Sequence, residues 1–384
     1  MYIGIIAEWN PFHEGHAYML QKIKKQYPQA PIIGVMSGSF VQRGEPALFN
    51  KWIRAKWALS QGMSAVIEFP TFCVLQSADI FAEYAVSFLC QLGCTHVAFG
   101  AESLSFSEFK KLALWSLSEE CNEYFHSFLE KGFPYSSAIT QSIEIGFPEL
   151  SQELKKPNNL LGFRYVLAAT KQNLPLSFIV IPRNQLHPAS ATLARQSLID
   201  EGDYPLLPPD IRGEATRLIK SGEYLSYSRY ESACLLINKR LSKKQLTDSN
   251  LFSEGLEYRW FKSIKETTWS RALDQVKNKR YLYSRLKRIG ASLLLSDQNP
   301  SPFSFKNKIP YARLLALQEN QSFVLKKSNL PILTSVAKAL RELSPQDTAI
   351  LNLDIAATDI QSFCMSNENY RTGRLDFYNS PVIM

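Results

Sequence analysis

Nowhere in the 384 residues is there an apolar run long enough to cross a bilayer. The most hydrophobic neighbourhood, Phe72 to Cys94, is interrupted by Asp79 and Glu83. A basic, cleavable leader is also lacking: Tyr2-Ile-Gly-Ile-Ile-Ala7 enters a strand at once, so a cytoplasmic protein with no membrane partner is expected. The six cysteines form no CxxC pair. Cys90 and Cys94 stand four apart in an apolar helical pattern with His96 close by, and buried free thiols explain them better than a metal site. No resident metal is therefore expected. There is no GxSxG turn and no cysteine with a histidine partner in sequence, so nothing points to serine or cysteine nucleophilic chemistry. Internal repeats are missing too. Glycine (17) and proline (20) are too ordinary for a low-complexity chain, and 45% hydrophobic residues are too many for disorder.

Net charge is absent from one half only. Residues 1–200 carry 16 basic and 16 acidic side chains, whereas 201–384 carry 27 and 19, so the whole surplus of +8 lies in the second half. A polyanion meeting the C-terminal half is the implied partner. The first half alternates apolar strands (2–8, 31–36, 65–69, 96–100, 176–181) with amphipathic helices (15–26, 51–61, 77–92, 107–131, 134–145, 159–171). Continuously apolar strands separated by helices predict an α/β fold, a Rossmann-like doubly wound parallel sheet covered on both faces. Ligands of such sheets sit beyond the carboxyl ends of the strands. Pro205, Pro208 and Pro209 mark a break, after which helical patterns dominate (211–221, 230–240, 254–266, 270–296, 335–343) and few strands are evident. The expected division is 1–204, an α/β unit, and 205–384, a mostly α-helical basic unit.

The sharpest motif is Glu8-Trp-Asn-Pro-Phe-His-Glu-Gly-His16, which leaves the first strand and opens the first helix. At a helix N-terminus His13 and His16 project toward one point beside free backbone N–H groups, and Gly15 lets the backbone come close. That suits a nucleoside triphosphate better than zinc, which wants a further carboxylate or cysteine at ligand spacing; the plainer alternative is a pair of polar caps. A second motif is Ser190-Ala-Thr-Leu-Ala-Arg195, where Ser190 or Thr192 can cap a helix and Arg195 lies one turn on. Lys51, Arg54 and Arg43 are further candidate anion contacts, each equally explicable as a solvated helix face. Six of the twelve residues 277–288 are basic (Lys277, Lys279, Arg280, Arg285, Lys287, Arg288), with Tyr281 and Tyr283 interleaved. Either an RNA contact or a solvated basic helix accounts for them.

His13-x-Gly-His16 after a first strand resembles the HxGH nucleotidyltransferases, in which the histidines lie on the nucleotide phosphates and a Ser/Thr-rich helix start ending in a basic residue holds the β- and γ-phosphates. Longer stretches narrow the resemblance: Met36-Ser-Gly-Ser-Phe-Val-Gln-Arg-Gly-Glu-Pro-Ala47, Lys51-Trp-Ile-Arg-Ala-Lys56, Gln76-Ser-Ala-Asp79, Phe99-Gly-Ala-Glu102 and Asn158-Asn-Leu-Leu-Gly162 are similar to the bacterial tRNA(Met) cytidine acetate ligases. The resemblance implies a ligase that activates acetate with ATP as acetyl-adenylate and then acetylates the wobble cytidine of elongator tRNA(Met), with no obligate protein partner. It implies an ATP cradle from Ile6-Ala7-Glu8-Trp9-Asn10-Pro11-Phe12-His13-Glu14-Gly15-His16-Ala17-Tyr18-Met19, completed by Gly100, Asn158, Arg183, Ser190, Thr192 and Arg195, with Asn159 as a neighbour. His13 and His16 would be the catalytic pair.

Between Arg183 and Ser190 the sequence is shorter than the family's usual loop, which leaves the role of Arg183 open. Mg2+ is expected to accompany ATP, although no carboxylate cluster would hold it alone. The competing expectation is a small-molecule adenylyltransferase of the same superfamily, which would have no need of a cationic second half.

Overall fold

The computed structural model describes residues 1–133, 135–183, 190–201, 204–248, 251–252, 255–278, 281–296 and 309–384. Among the described residues ten strands are present: β1 Ile3–Ala7, β2 Ile32–Ser37, β3 Phe40–Val41, β4 Glu45–Pro46, β5 Ala65–Phe69, β6 His96–Ala101, β7 Ser177–Pro182, β8 Ala312–Leu317, β9 Ile332–Leu333 and β10 Val382–Ile383. β3 and β4 make a small hairpin, and the rest form one sheet in the order β10-β8-β5-β2-β1-β6-β7, with β9 also on β8. The five strands expected from sequence are all present and pair in parallel, for example Ala7 with Met36 and Ser37 with Phe69. Every residue of β2 and β5 is buried, as strands covered on both faces by helices must be.

Strand order reverses about β1, with β2 on one side and β6 on the other. The crevice beyond the carboxyl ends of β1 and β6 is thus the switch point where ligands of open α/β sheets bind. The first helix, α1 (Glu14–Gln26), starts there, and α2 (Lys51–Ser60) packs between β5 and β8.

The second half differs from the sequence expectation in two ways. Helices do dominate from Pro209 to Leu295, but the pattern at 270–296 is two helices, Trp269–Val276 and Tyr283–Leu295, separated where Asn278 Oδ1 accepts from the Tyr281 N–H at 2.8 Å. A similar break at Ser118, which caps Glu119–Glu130, divides 107–131. The chain then returns to the sheet. β8 pairs antiparallel with β5, and β10, the last strand, pairs with β8. A helical unit is therefore inserted between residues of one mixed sheet, rather than following it from residue 205 to the end. The return was hard to foresee, because Ala-Arg-Leu-Leu-Ala-Leu is a short segment with five apolar residues, whose periodicity cannot separate buried strand from buried helix. Among the described residues no helix is long and apolar enough to cross a membrane.

A buried ionic lock ties the return in place. Lys51 Nζ of α2 contacts both oxygens of Glu68 on β5 at 2.8 and 3.0 Å and Asp376 at 2.8 Å, while Arg313 of β8 meets Glu68 at 3.2 Å and Asp376 at 2.5 Å. All four side chains are almost inaccessible.

Candidate active site

After β1 the backbone turns sharply. Trp9 adopts φ 43°, a region L-residues avoid, and its buried ring lies so close to Gly34 of β2 that a Cβ there would meet Trp9 Cη2 at 2.6 Å. With the indole anchored, Glu8 and Asn10 are turned toward the crevice. Asn10 Oδ1 accepts from the Leu48 N–H at 2.8 Å.

His13 is the N-cap of α1. Its Nδ1 accepts from the Gly15 N–H at 3.1 Å, and His16 Nδ1 accepts in return from the His13 N–H at 3.2 Å. The two rings stack with centroids 3.7 Å apart. Backbone amides can only donate, so both Nδ1 atoms must be unprotonated and each ring carries its proton on Nε2. Burial drives His13 down to about 4, with Arg183 adding repulsion, and burial followed by the neighbouring His13 and Arg183 holds His16 well below the usual histidine range. Both are therefore neutral N–H donors. The caps weighed as an alternative from sequence are real, and they are what orients the donors.

These rings open onto a cleft of about 660 Å³ at the switch point, large enough for a nucleotide. Ile6, Ala7, Glu8, Trp9, Asn10, Gly15, Tyr18 and Met19 line it with the histidines, as do Gly100, Asn158, Arg183, Ser190, Thr192 and Arg195. Four members of the expected cradle do not. Pro11, Phe12 and Ala17 are buried beneath it, and Glu14 faces Arg212 at 3.7 Å. A contiguous motif that passes from strand to helix must bury some of its side chains, and these are they.

Ser190 Oγ caps the helix Ala191–Gln196 by accepting from the Leu193 N–H at 3.2 Å. Arg195 donates to the Asn10 carbonyl at 2.6 Å and to Thr192 Oγ1 at 3.3 Å, which joins this helix to the first loop. Residues 184–189 lie outside the described set.

Glu102 is a member the sequence reading quoted but did not place. Its Oε1 accepts from Asn158 Nδ2 at 2.6 Å and lies 3.6 Å from Arg183, and its Oε2 accepts from the Asn159 N–H at 2.8 Å. Asn159 is wholly buried and itself accepts from the Glu102 N–H at 2.9 Å. The Phe99–Glu102 and Asn158–Asn159 motifs are thus one clasp that positions Asn158 and Arg183.

Two candidate anion contacts are corrected. Arg54 is inaccessible: it donates to the carbonyls of Phe49 at 3.0 Å, Glu8 at 2.7 Å, Ser37 at 3.0 Å and to that of Gly38, gathering the ends of β1 and β2. Lys51 belongs to the ionic lock. Neither is solvated and neither reaches the cleft, whereas Arg43 is exposed at its lip. Helical spacing places a cation on a face but does not say what covers that face.

The basic segment is also less open than its sequence suggested. Arg288 is only 8% exposed and Tyr281 is buried, so neither presents a free surface to RNA. Lys277 covers the Tyr283 ring at 4.2 Å, Arg285 covers Tyr281 at 4.9 Å, and Lys287 pairs with Glu45. Lys279 and Arg280 lie outside the described residues. A surface missed from sequence stands nearby on the helix Leu256–Ser263, which buries Leu256 and Trp260 and exposes Tyr258 (54%) and Phe261 (41%) one turn apart among Lys243, Arg259 and Lys262. Residues 239–288 hold 14 basic and 5 acidic side chains, a local net of +9 that exceeds the surplus of the whole chain.

Residues 1–376 match the family described as HIGH Nucleotidyl Transferase. A tRNA(Met) cytidine acetate ligase of Listeria monocytogenes is 33% identical over 99% of this chain and 98% of its own, and one of Bacillus subtilis is 32% identical over 94% and 91%. The fold matches that of Thermotoga maritima TmcAL bound with alpha-thio ATP, with a TM-score of 0.89, 29% identity and coverage of 100% of this chain and 99% of that one. The apo form of the same protein gives 0.91. With the paired histidines at the switch point, the chain belongs to the HIGH nucleotidyl transferase family and, within it, to the tRNA(Met) cytidine acetate ligases.

Proposed function

We propose that this protein joins acetate to ATP as acetyl-adenylate, releasing pyrophosphate, and passes the acetyl group to the N4 amine of the wobble cytidine of elongator tRNA(Met), releasing AMP. The observation that carries the first step is the reciprocal histidine cap. Two neutral imidazoles with fixed Nε2–H donors suit the charge that builds on the α-phosphate as an acetate oxygen attacks it, and preorganised donors of this kind need no rearrangement during reaction. Thr192 and Arg195 are suited to the leaving pyrophosphate, and Gly100, Asn158 and Arg183 to the nucleoside end of the cleft. Among the described residues no group of three His, Cys, Asp or Glu would cage a metal. Mg2+ fits this site as an ion carried mainly on the triphosphate, where it would neutralise phosphate charge.

Acetate is a weak electrophile and the cytosine amine a weak nucleophile, so activation by adenylation makes chemical sense of the pairing. Division of labour follows the fold: the sheet unit activates acetate, and the inserted +9 helical unit docks the RNA. A small-molecule adenylyltransferase would leave that unit unexplained.

ATP–pyrophosphate exchange with Mg2+, with and without acetate and then with tRNA, tests the proposal. Acetate-dependent exchange is expected; exchange that stays absent even with tRNA present would return the small-molecule alternative to favour.

A further inference from the structure

Acetyl transfer releases a proton that adenylation does not. When acetate attacks ATP no proton is lost, but when an amine attacks acetyl-adenylate the new N–C bond leaves a proton on nitrogen that must go elsewhere. The histidines cannot take it. Each imidazole has one lone pair, and both lone pairs are already committed to the N–H groups of Gly15 and His13. Glu45 at the cleft's edge is paired with Lys287. Tyr165 is a phenol that burial pushes further from titration.

Among the described residues one lining carboxylate remains. Glu8 leaves the end of β1 into the same cleft as the histidines. Its Oε1 accepts from the Gln42 N–H at 2.7 Å, which fixes the carboxylate, and among the described residues Oε2 has no hydrogen-bond partner. Burial raises the proton affinity of Glu8 above that of an ordinary carboxylate, although the Gln42 N–H and the charges of Arg43, Arg54 and Arg195 pull the other way. Arg54 holds the Glu8 carbonyl and Arg195 the Asn10 carbonyl, so the backbone on either side is pinned.

We propose that the Glu8 carboxylate is the general base of acetyl transfer. As the acceptor amine bonds to the acetyl carbon, its proton passes to Glu8 Oε2, the bond between that carbon and the AMP phosphate oxygen breaks with its electron pair going to AMP, and Glu8 later releases the proton to water. The assignment rests on the transfer reaction proposed above.

Single-turnover transfer from synthetic acetyl-adenylate to saturating tRNA(Met), measured against pH for wild type, Glu8→Gln and Glu8→Asp, tests it. Glu8→Gln keeps an oxygen for the Gln42 N–H but cannot take a proton, so its transfer rate should fall about 10²-fold or more. The wild-type rate should decline on the acid side, Glu8→Gln should lack that decline, and Glu8→Asp should keep it at a displaced pH. A Glu8→Gln rate within about threefold of wild type would assign the proton to the departing AMP phosphate and overturn the proposal, as would a defect confined to tRNA affinity. If Glu8→Gln does not fold, an acid decline in Glu8→Asp identical to wild type overturns it equally. Wild-type enzyme that acetylates no tRNA from acetyl-adenylate would overturn the transfer reaction itself along with the base.

Discussion

Replacing His13 removes a donor from the cleft and a cap from α1 at once. His13→Ala should lower acetate-dependent exchange on the order of 10²–10³-fold and cost about 1 kcal/mol of stability. His13→Asn, which can still cap, should recover the melting temperature but not the rate, and equal recovery of both would show that the ring acts only as a cap. The pH dependence has a defined sign. His13 is depressed to about 4 when folded, so between its ordinary value near 6.5 and about 4 the unfolded chain binds more protons. Stability from the neutral rings is fully present above pH 6.5 and is lost as pH falls toward 4, measurable as a falling melting temperature. Sequence spacing revealed the pair and the helix it opens, because a motif between strand and helix has few places to go. It could not reveal that Arg54 and Lys51 are buried, since a charge three residues from another reads alike on a wet face and in a sealed interior.

At the level of elements, the β3–β4 hairpin joins the cleft to the helical insertion. Gln42, Arg43 and Glu45 line the cleft, while Tyr230 of the helical unit donates to the Gly44 carbonyl at 3.0 Å and Lys287 holds Glu45. Gly44 has φ 81°, and a Cβ there would meet the Arg288 backbone nitrogen at 2.4 Å. Gly44→Ala should therefore destabilise the protein by about 1–3 kcal/mol and push hairpin and helix apart. Its effect on tRNA acetylation should exceed its effect on exchange, and equal losses would argue against a link. On the neighbouring helix, Tyr258→Ala with Phe261→Ala should weaken tRNA binding by about 1–3 kcal/mol per stacked base while exchange persists, read by titration with labelled tRNA. The five parallel strands of the first half and most of the helices were legible in apolar spacing. The break between Val276 and Tyr283 was not, because similar apolar spacing flanks it on both sides, and the Asn278 side chain that accepts from the Tyr281 N–H marks the interruption.

For the whole molecule, charge and topology make opposite demands. The +9 unit predicts tRNA affinity that falls steeply with salt, and replacing Lys277, Arg285 and Lys287 with Ala should flatten that slope; Arg288, being buried, should instead affect folding. The lock predicts cooperative unfolding. Asp376→Ala leaves Lys51 and Arg313 with one carboxylate between them, and breaking a buried pair costs about 3–5 kcal/mol. Unfolding should then be a single transition at lower temperature for both halves, whereas two separate transitions would show that the sheet and helical unit are independent. Charge asymmetry made the RNA partner visible in the sequence, but the return of β8 was invisible because its partner β5 lies more than two hundred residues away.

That return sets a timetable. A nascent chain emerges from its N-terminus, so the histidine cap is made before the helical insertion, yet β5 has no neighbour on its outer side until β8 appears and the lock waits for Asp376, later still. During most of synthesis an apolar edge stands open, and the sheet can close only after the inserted helices have been made. A prematurely ended product would thus be sticky and unfinished rather than a free-standing activating domain, and the cell is spared an incomplete enzyme that consumes ATP with no RNA to modify.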